Sequence, residues 1–355
     1  MRRISVVLAV CILLAVHPAW ADNVIVGVNS WYTLPGATQE DMIRQLAVNG
    51  VKTLRISLFK NSLDFVVKAY RQGIGSIVIV YPHVGSKAKT KRAWADVPLS
   101  ELEPQEFADA FGPMLDELEV AGVRLAGIEL GNEINTSGYN GDITSPGTGR
   151  VLGLADLNNP DDAEGRVIAA GFRSYVKIAA ALKELRDQSK LNRHTPIICA
   201  GMANWGLPGS KAPDGLLGVS LVDAIDFLRQ NGLDHVVDGY GVHVYPGLDP
   251  SRLVVTRVDS LGHDIFAACT QSKPCWLTEW GVPDGSVEVP DRCPIDETKR
   301  VKVVEELRGA FQHFIREKRL AAIVFYDWAD KPGNKGAIFR CGELTAAGKL
   351  ALKPN

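Results

Sequence analysis

The stretch TLRISLFKNSLDFVVKAYRQGIGSIVIVY, residues 53–81, decides the fold. Its opening residues alternate, with Leu54, Ile56 and Leu58 on one face and Arg55 and Ser57 on the other. That period of two belongs to a strand whose two faces meet different surroundings. Residues 62–71 switch to an amphipathic helical pattern, and 76–81 return to a β-branched apolar run. Strand, helix and strand in this order make a crossover unit, which pairs its strands in parallel and is right-handed.

Working outward, the same alternation runs along the chain eight times. Strands are expected over residues 24–29, 53–58, 76–81, 125–130, 197–201, 239–244, 275–278 and 322–326. Helical patterns fall over 39–48, 62–71, 104–120, 162–187, 221–230, 257–268, 297–316 and 344–352. Eight such units can close on themselves, so the expected fold is an α/β (β/α)8 TIM barrel in a single domain. A doubly wound open sheet is the rival, but no Gly-x-Gly-x-x-Gly follows the first strand to hold a dinucleotide. The long Gly- and Pro-rich connections, residues 84–103, 134–160, 203–218, 281–294 and 329–343, all follow strands. In a barrel they rise from the C-terminal strand ends, where sites are built.

Residues 1–21 read as an export signal: Arg2 and Arg3, then an apolar run over 6–16, then Ala19-Trp20-Ala21 as a small-x-small cleavage site. The barrel domain is then residues 22–355. The apolar run is too short to cross a bilayer, and Val10 is too bulky for a lipoprotein signal at Cys11. A secreted or periplasmic protein without stable membrane insertion is expected. Formal charge is -2, and loss of Arg2 and Arg3 makes it -4. Such a chain has no basic excess with which to neutralise nucleic-acid phosphates, so a neutral substrate fits best. Five cysteines remain beyond the signal, so one stays unpaired. Cys199 lies in an apolar strand run and is expected to be the free one, with Cys269 paired to Cys275 and Cys293 to Cys341. Their spacing is not a zinc signature.

Polar residues gather where the strands stop. His83 shares its parity with Ile79 and Tyr81, and His243 and Tyr245 share theirs with Gly239 and Gly241. Gly131-Asn132-Glu133 ends the fourth strand and Thr278-Glu279-Trp280-Gly281 the seventh, which offers two carboxyl groups to one mouth of the barrel. These residues resemble the 4/7 superfamily of retaining β-glycosidases, in which the acid/base follows Asn on strand four and the nucleophile ends strand seven. The likeness extends to the family 5 glycoside hydrolases through Arg55, His83, Asn132, Glu133, His243, Tyr245, Glu279 and Trp328. Family 5 usually has Pro after the strand-four Glu, whereas this chain has Ile134. Gly-Asn-Glu-Ile is closer to the family 53 galactanases.

The resemblance implies double displacement on a β-linked carbohydrate, by a monomer with no cofactor and no resident metal. Glu279 would form a covalent glycosyl-enzyme while Glu133 protonates the leaving oxygen and later takes a proton from water. Arg55 and the Tyr245 hydroxyl would hold Glu279 ionised. Asn132 would bind the sugar 2-hydroxyl and Trp328 the apolar face of the ring, with Trp31, Trp94, Tyr139, Trp205 and Trp280 as further walls. Bland readings stand beside these. Glu129 shares the parity of Glu133 and rivals it as the acid, or sits lower and pairs with a basic side chain. His83 serves equally well as a hydrogen-bonded structural residue, and Trp94 and Trp205 as pins for their loops. Simple alternation cannot turn Asn132 and Glu133 inward together, so a bulge is required. Three other functions compete. A metal-dependent barrel lacks a His-x-His or His-x-x-x-His pair to seed it. A non-catalytic carbohydrate-binding barrel would be free to lose a carboxylate, and a transglycosylase would differ only in the acceptor.

Overall fold

A computed structural model describes residues 24–31, 37–89, 96–144, 147–204, 208–209, 211, 218–245, 261–282, 296–329 and 336–355. Eight parallel strands form a closed barrel in chain order: β1 (Ile25–Asn29), β2 (Thr53–Ser57), β3 (Gly75–Val80), β4 (Gly127–Asn132), β5 (Ile197–Met202), β6 (Gly239–Val244), β7 (Cys275–Trp280) and β8 (Leu320–Phe325). β8 closes on β1, pairing Ala322 with Ile25 and Phe325 with Val28.

Around the barrel run α1 (Gln39–Val48), α2 (Leu63–Arg71), α3 (Pro104–Val120), α4 (Leu154–Asn158), α5 (Ala163–Gln188), α6 (Leu221–Gln230), α7 (Thr298–Arg316) and α8 (Ala346–Ala351). The caps are local. Thr38, Asp162, Ser220 and Thr345 each accept from a backbone N–H in the first turn of the helix they precede, satisfying donors that no earlier turn can reach. α2 buries Leu63, Phe65, Val66 and Ala69 against the sheet. Removing a side chain such as Phe65 from water contributes about 2–3 kcal/mol. Where a regular helix is expected over 257–268, the described part, Leu261–Ile265 and Phe266–Ala268, is a π turn followed by a 3-10 turn.

Two apolar layers follow from strand alternation. The larger lies between sheet and helices, and a smaller one fills the barrel floor with Ile77, Ile198, Trp276, Ala322 and Val324. Above that floor the barrel interior turns polar. Fully buried Arg55, Glu129 and Thr278 form the next level, beneath the C-terminal mouth. No helix among the described residues is long and apolar enough to cross a membrane. Cys269 is bonded to Cys275, and Cys199 is free and buried. Cys341 is also disulfide-bonded, while its expected partner Cys293 lies outside the described residues, as does the expected signal sequence.

Candidate active site

The mouth is organised by two local breaks in strand alternation. On β4, Leu130 belongs to the outer layer, so strict alternation would send Asn132 outward too. Gly131 instead takes φ 88°, a left-handed conformation that only glycine adopts without steric cost, and Glu133 follows with φ 40°. The twist turns both Asn132 and Glu133 inward, the requirement the sequence posed. The Glu133 N–H donates to the Gly201 carbonyl at 2.8 Å, and the Thr136 N–H and hydroxyl cap the Glu133 carbonyl. Behind it, the Tyr175 hydroxyl donates to the Leu130 carbonyl and accepts from the Ala200 N–H, tying β4 to β5.

β7 carries a bulge. Its register against both β6 and β8 slips between Leu277 and the residues above, so that β7 spends one residue more than either neighbour: Leu277 to Glu279 spans Val242 to His243, and Leu277 to Trp280 spans Ile323 to Phe325. Trp276 and Thr278 point inward, and the extra residue lets Glu279 point inward as well. By the same slip Trp280 is thrown outward, and this corrects its expected place as a substrate wall. It is fully buried between sheet and helices, edge-on to Phe311 of α7 at 5.2 Å and to Phe325 at 4.8 Å. A one-residue shift exchanges the faces of a strand, which no single-strand pattern reveals.

Arg55 is the hub beneath the mouth. Its Nη1 donates to Glu279 Oε1 at 2.6 Å and to Asn29 Oδ1 at 2.9 Å. Nη2 donates to Asn132 Oδ1 at 2.8 Å, and Nε to Glu129 Oε2 at 2.5 Å. Glu129 therefore sits below the mouth, fully buried and paired with a basic side chain, and its other oxygen accepts from the Thr278 hydroxyl at 2.8 Å. It is no rival for the outer carboxyl position. Asn132 spends its carbonyl oxygen on Arg55, which leaves the amide NH2 as the end that can meet a ligand.

Above the hub, Glu133 and Glu279 meet across His243. The imidazole Nδ1 lies 2.8 Å from Glu133 Oε1 and 3.6 Å from Glu279 Oε2. The Tyr245 hydroxyl donates to Glu279 Oε2, while its ring stands half-exposed at the mouth. His243 reaches Glu133 because β5 offers no side chain at Gly201, where a Cβ would lie 2.0 Å from His243 Nε2. Glu279 is buried, whereas about a quarter of the Glu133 side chain remains exposed.

Electrostatics favour the ionised form of Glu279. Burial alone would raise the Glu279 pKa, but the charges of His243 and Arg55, with hydrogen bonds from Tyr245 and Arg55, outweigh it and hold the carboxyl below its ordinary value. Burial likewise opposes a charge on His243, yet Glu279 and its contact with Glu133 raise it. Burial pushes His83 down to about 4, so it stands neutral.

His83 lies on the β3 flank with its ring 5.5 Å from Tyr81. Tyr81 in turn stacks between Phe59, at 5.7 Å, and Tyr139, at 6.4 Å. Trp31 stands partly exposed with its Nε1 donating to Asp327 at 3.1 Å. Trp328 is the second correction. It is fully buried, stacked on Phe339 at 5.0 Å, with its backbone N–H bonded to the Asn29 carbonyl. Tyr326, partly exposed and edge-on to Tyr245 at 6.1 Å, takes the rim position two residues earlier. Asn29, Phe59 and Tyr326 were not legible as site residues, although Asn29 and Tyr326 do lie at strand ends. Trp94 and Trp205 lie outside the described residues.

Glu133, His243 and Glu279 each present one atom within 4.8 Å of the others, a spacing that meets the distance condition for a cation. Arg55 already sets a guanidinium against Glu279, so a dication there would face like charge. The arrangement is suited instead to proton transfer by Glu133 and attack by Glu279.

No protein-family model matches the chain, and no curated protein matches it in sequence. Among solved structures it is similar to a fungal β-1,4-galactanase, at 13% identity over 92% of this chain and 93% of that one, TM-score 0.54. It is also similar to a family 39 glycoside hydrolase from the gut symbiont Bacteroides cellulosilyticus WH2, at 12% identity over 94% of this chain and 64% of that one, TM-score 0.52. A family 1 β-glucosidase from Thermotoga maritima gives 13% identity over 92% and 96%, TM-score 0.55. At these identities the likeness is one of fold, and function has to be argued from the site.

Proposed function

We propose that this chain is a retaining β-glycoside hydrolase that cleaves O-glycosidic bonds of a neutral oligo- or polysaccharide by double displacement. One observation carries the reading: carboxylate oxygens from Glu133, directly after β4, and Glu279 on β7 lie within 4.8 Å of one another at the C-terminal mouth of a closed barrel. Carboxyl groups about 5–5.5 Å apart suit direct attack, whereas an intervening water needs about 6.5–9.5 Å. The glycosidases among the similar structures support the same reading.

Glu279, held ionised from two sides, attacks the anomeric carbon, and the glycosidic C–O bond breaks as its oxygen takes the proton of Glu133. Water then attacks the same carbon, gives its proton to Glu133, and the bonding pair returns to Glu279. Asn132 offers its NH2 to a sugar hydroxyl, and Tyr326, Tyr139 and Trp31 offer ring surface at the rim. A secreted or periplasmic location after loss of residues 1–21 suits a polymeric substrate. Proton NMR of the first sugar released is expected to show the β-anomer, and an initially α product would refute retention.

A further inference from the structure

Glu129 is a third carboxylate that the two-step reaction does not use. It is fully buried beneath the mouth, and both of its oxygens accept: Oε2 from Arg55 Nε at 2.5 Å and Oε1 from the Thr278 hydroxyl at 2.8 Å. Both oxygens are thus occupied as acceptors, one by a guanidinium and the other by a hydroxyl. The same guanidinium reaches Glu279 through Nη1 at 2.6 Å. Other titratable groups surround the trio. Glu133 and His243 stand at the mouth, and Tyr81, Tyr139, Tyr245 and Tyr326 ring it. Tyr175 and Cys199 lie behind Glu129. Among these only His243 can add positive charge; its Nδ1 lies 2.8 Å from Glu133 and 3.6 Å from Glu279, and it does not contact Glu129.

Resting on the hydrolase reading, we infer that Glu129 is the standing counter-charge of the site, a positioning residue that keeps Arg55 compensated while Glu279 is esterified by sugar. Charge balance carries the argument. Before attack, one guanidinium faces two carboxylates. When a Glu279 oxygen bonds to the anomeric carbon and the leaving oxygen departs with the Glu133 proton, Glu279 becomes a neutral ester. Arg55 and Glu129 then remain as a balanced pair. Without Glu129 the same step would strand a guanidinium in a buried site, and removing one partner of a buried pair is costly for that reason. The reverse holds in the second step, where an uncompensated Arg55 would draw the ester back to a carboxylate.

The test is pre-steady-state hydrolysis of 2,4-dinitrophenyl β-glucoside, galactoside, mannoside and xyloside by the full chain and by Glu129→Gln, which keeps the side-chain shape and removes the charge. Wild type is expected to release a burst of dinitrophenolate before a slower steady state. In the variant, glycosylation slows on the order of 10²–10³-fold and becomes limiting, so the burst disappears. The acid limb of kcat/KM moves down by about one pH unit, because Arg55 then acts on Glu279 alone. A purely structural Glu129 would lower the melting temperature and leave burst and acid limb in place, which overturns the inference. Should Glu129→Gln not fold, Thr278→Val decides. Losing the hydroxyl tightens the hold of Glu129 on Arg55 and moves the acid limb up by roughly a few tenths of a unit; an unmoved limb overturns the inference. No turnover of any of the four glycosides by wild type would instead remove the hydrolase reading, and this inference with it.

Discussion

Replacing Arg55 by Met removes the guanidinium on which Asn29, Glu129, Asn132 and Glu279 converge, while keeping an unbranched side chain in the same space. Arg55 is 1% exposed and its two carboxylate partners are buried, so solvent cannot replace the lost pairing. Breaking a buried ion pair from one side costs about 3–5 kcal/mol. For 355 residues, an unfolding entropy of about 2.1 cal/mol/K per residue turns that loss into a drop of roughly 4–7 °C in melting temperature. The sign with pH is fixed by Glu279, whose folded pKa is lowered. Stability from such a group is present above its unfolded pKa and is lost as pH falls through the folded value. Arg55→Met forfeits the guanidinium's share of that contribution, leaving the share of His243 and Tyr245, so the gap between wild type and variant should be widest near neutral pH and should narrow on acidification. Thermal unfolding followed by far-ultraviolet circular dichroism at pH 7 and pH 4 measures it. A deficit equal at both pH values would mean that packing, not charge, holds Arg55, and would refute the reasoning.

Tyr245→Phe removes the hydroxyl that helps hold Glu279 ionised; the acid limb of the kcat/KM profile should move to higher pH, and a fixed limb would deny the contact a role. Gly201→Ala sets a Cβ 2.0 Å from His243 Nε2 and 2.8 Å from the Thr278 hydroxyl, so kcat should fall at least about tenfold through displacement of His243 from Glu133. Unchanged kcat in a folded Gly201→Ala would show that His243 need not hold Glu133. Trp280→Ala should cost about 3–5 kcal/mol in urea unfolding and leave KM unchanged in the folded fraction, because the indole packs on Phe311 and Phe325. A raised KM with little loss of stability would return Trp280 to the substrate face.

The strand and helix order was legible because each signal is local. Period two and period 3.6 differ within a single window, and right-handed crossovers leave few ways to arrange eight units. The parity of His243 and Tyr245 was legible for the same reason, since at the register shift beside Val242 and His243 the extra residue lies on β7 and not on β6. β4 was harder. That Asn132 and Glu133 needed a break in alternation could be stated in advance, but its form, a left-handed Gly131 with Glu133 also at positive φ, is a property of the folded backbone. Within the helical pattern expected over 257–268, the described residues 261–268 depart from a regular helix, because apolar spacing alone does not distinguish one from π and 3-10 turns.

Sequence by itself determined the barrel, the end of it that carries the polar residues, and the two carboxyl groups at the ends of β4 and β7, because alternation and chain order are written residue by residue. Only the tertiary structure decided which way Trp280 and Trp328 face, that Glu129 is bound below Arg55, and that Tyr326 takes the rim position. Those outcomes depend on a one-residue register slip between neighbouring strands and on the approach of residues more than 70 positions apart. Neither has a local signature, because a strand's side chains know their face only once its partners are in place.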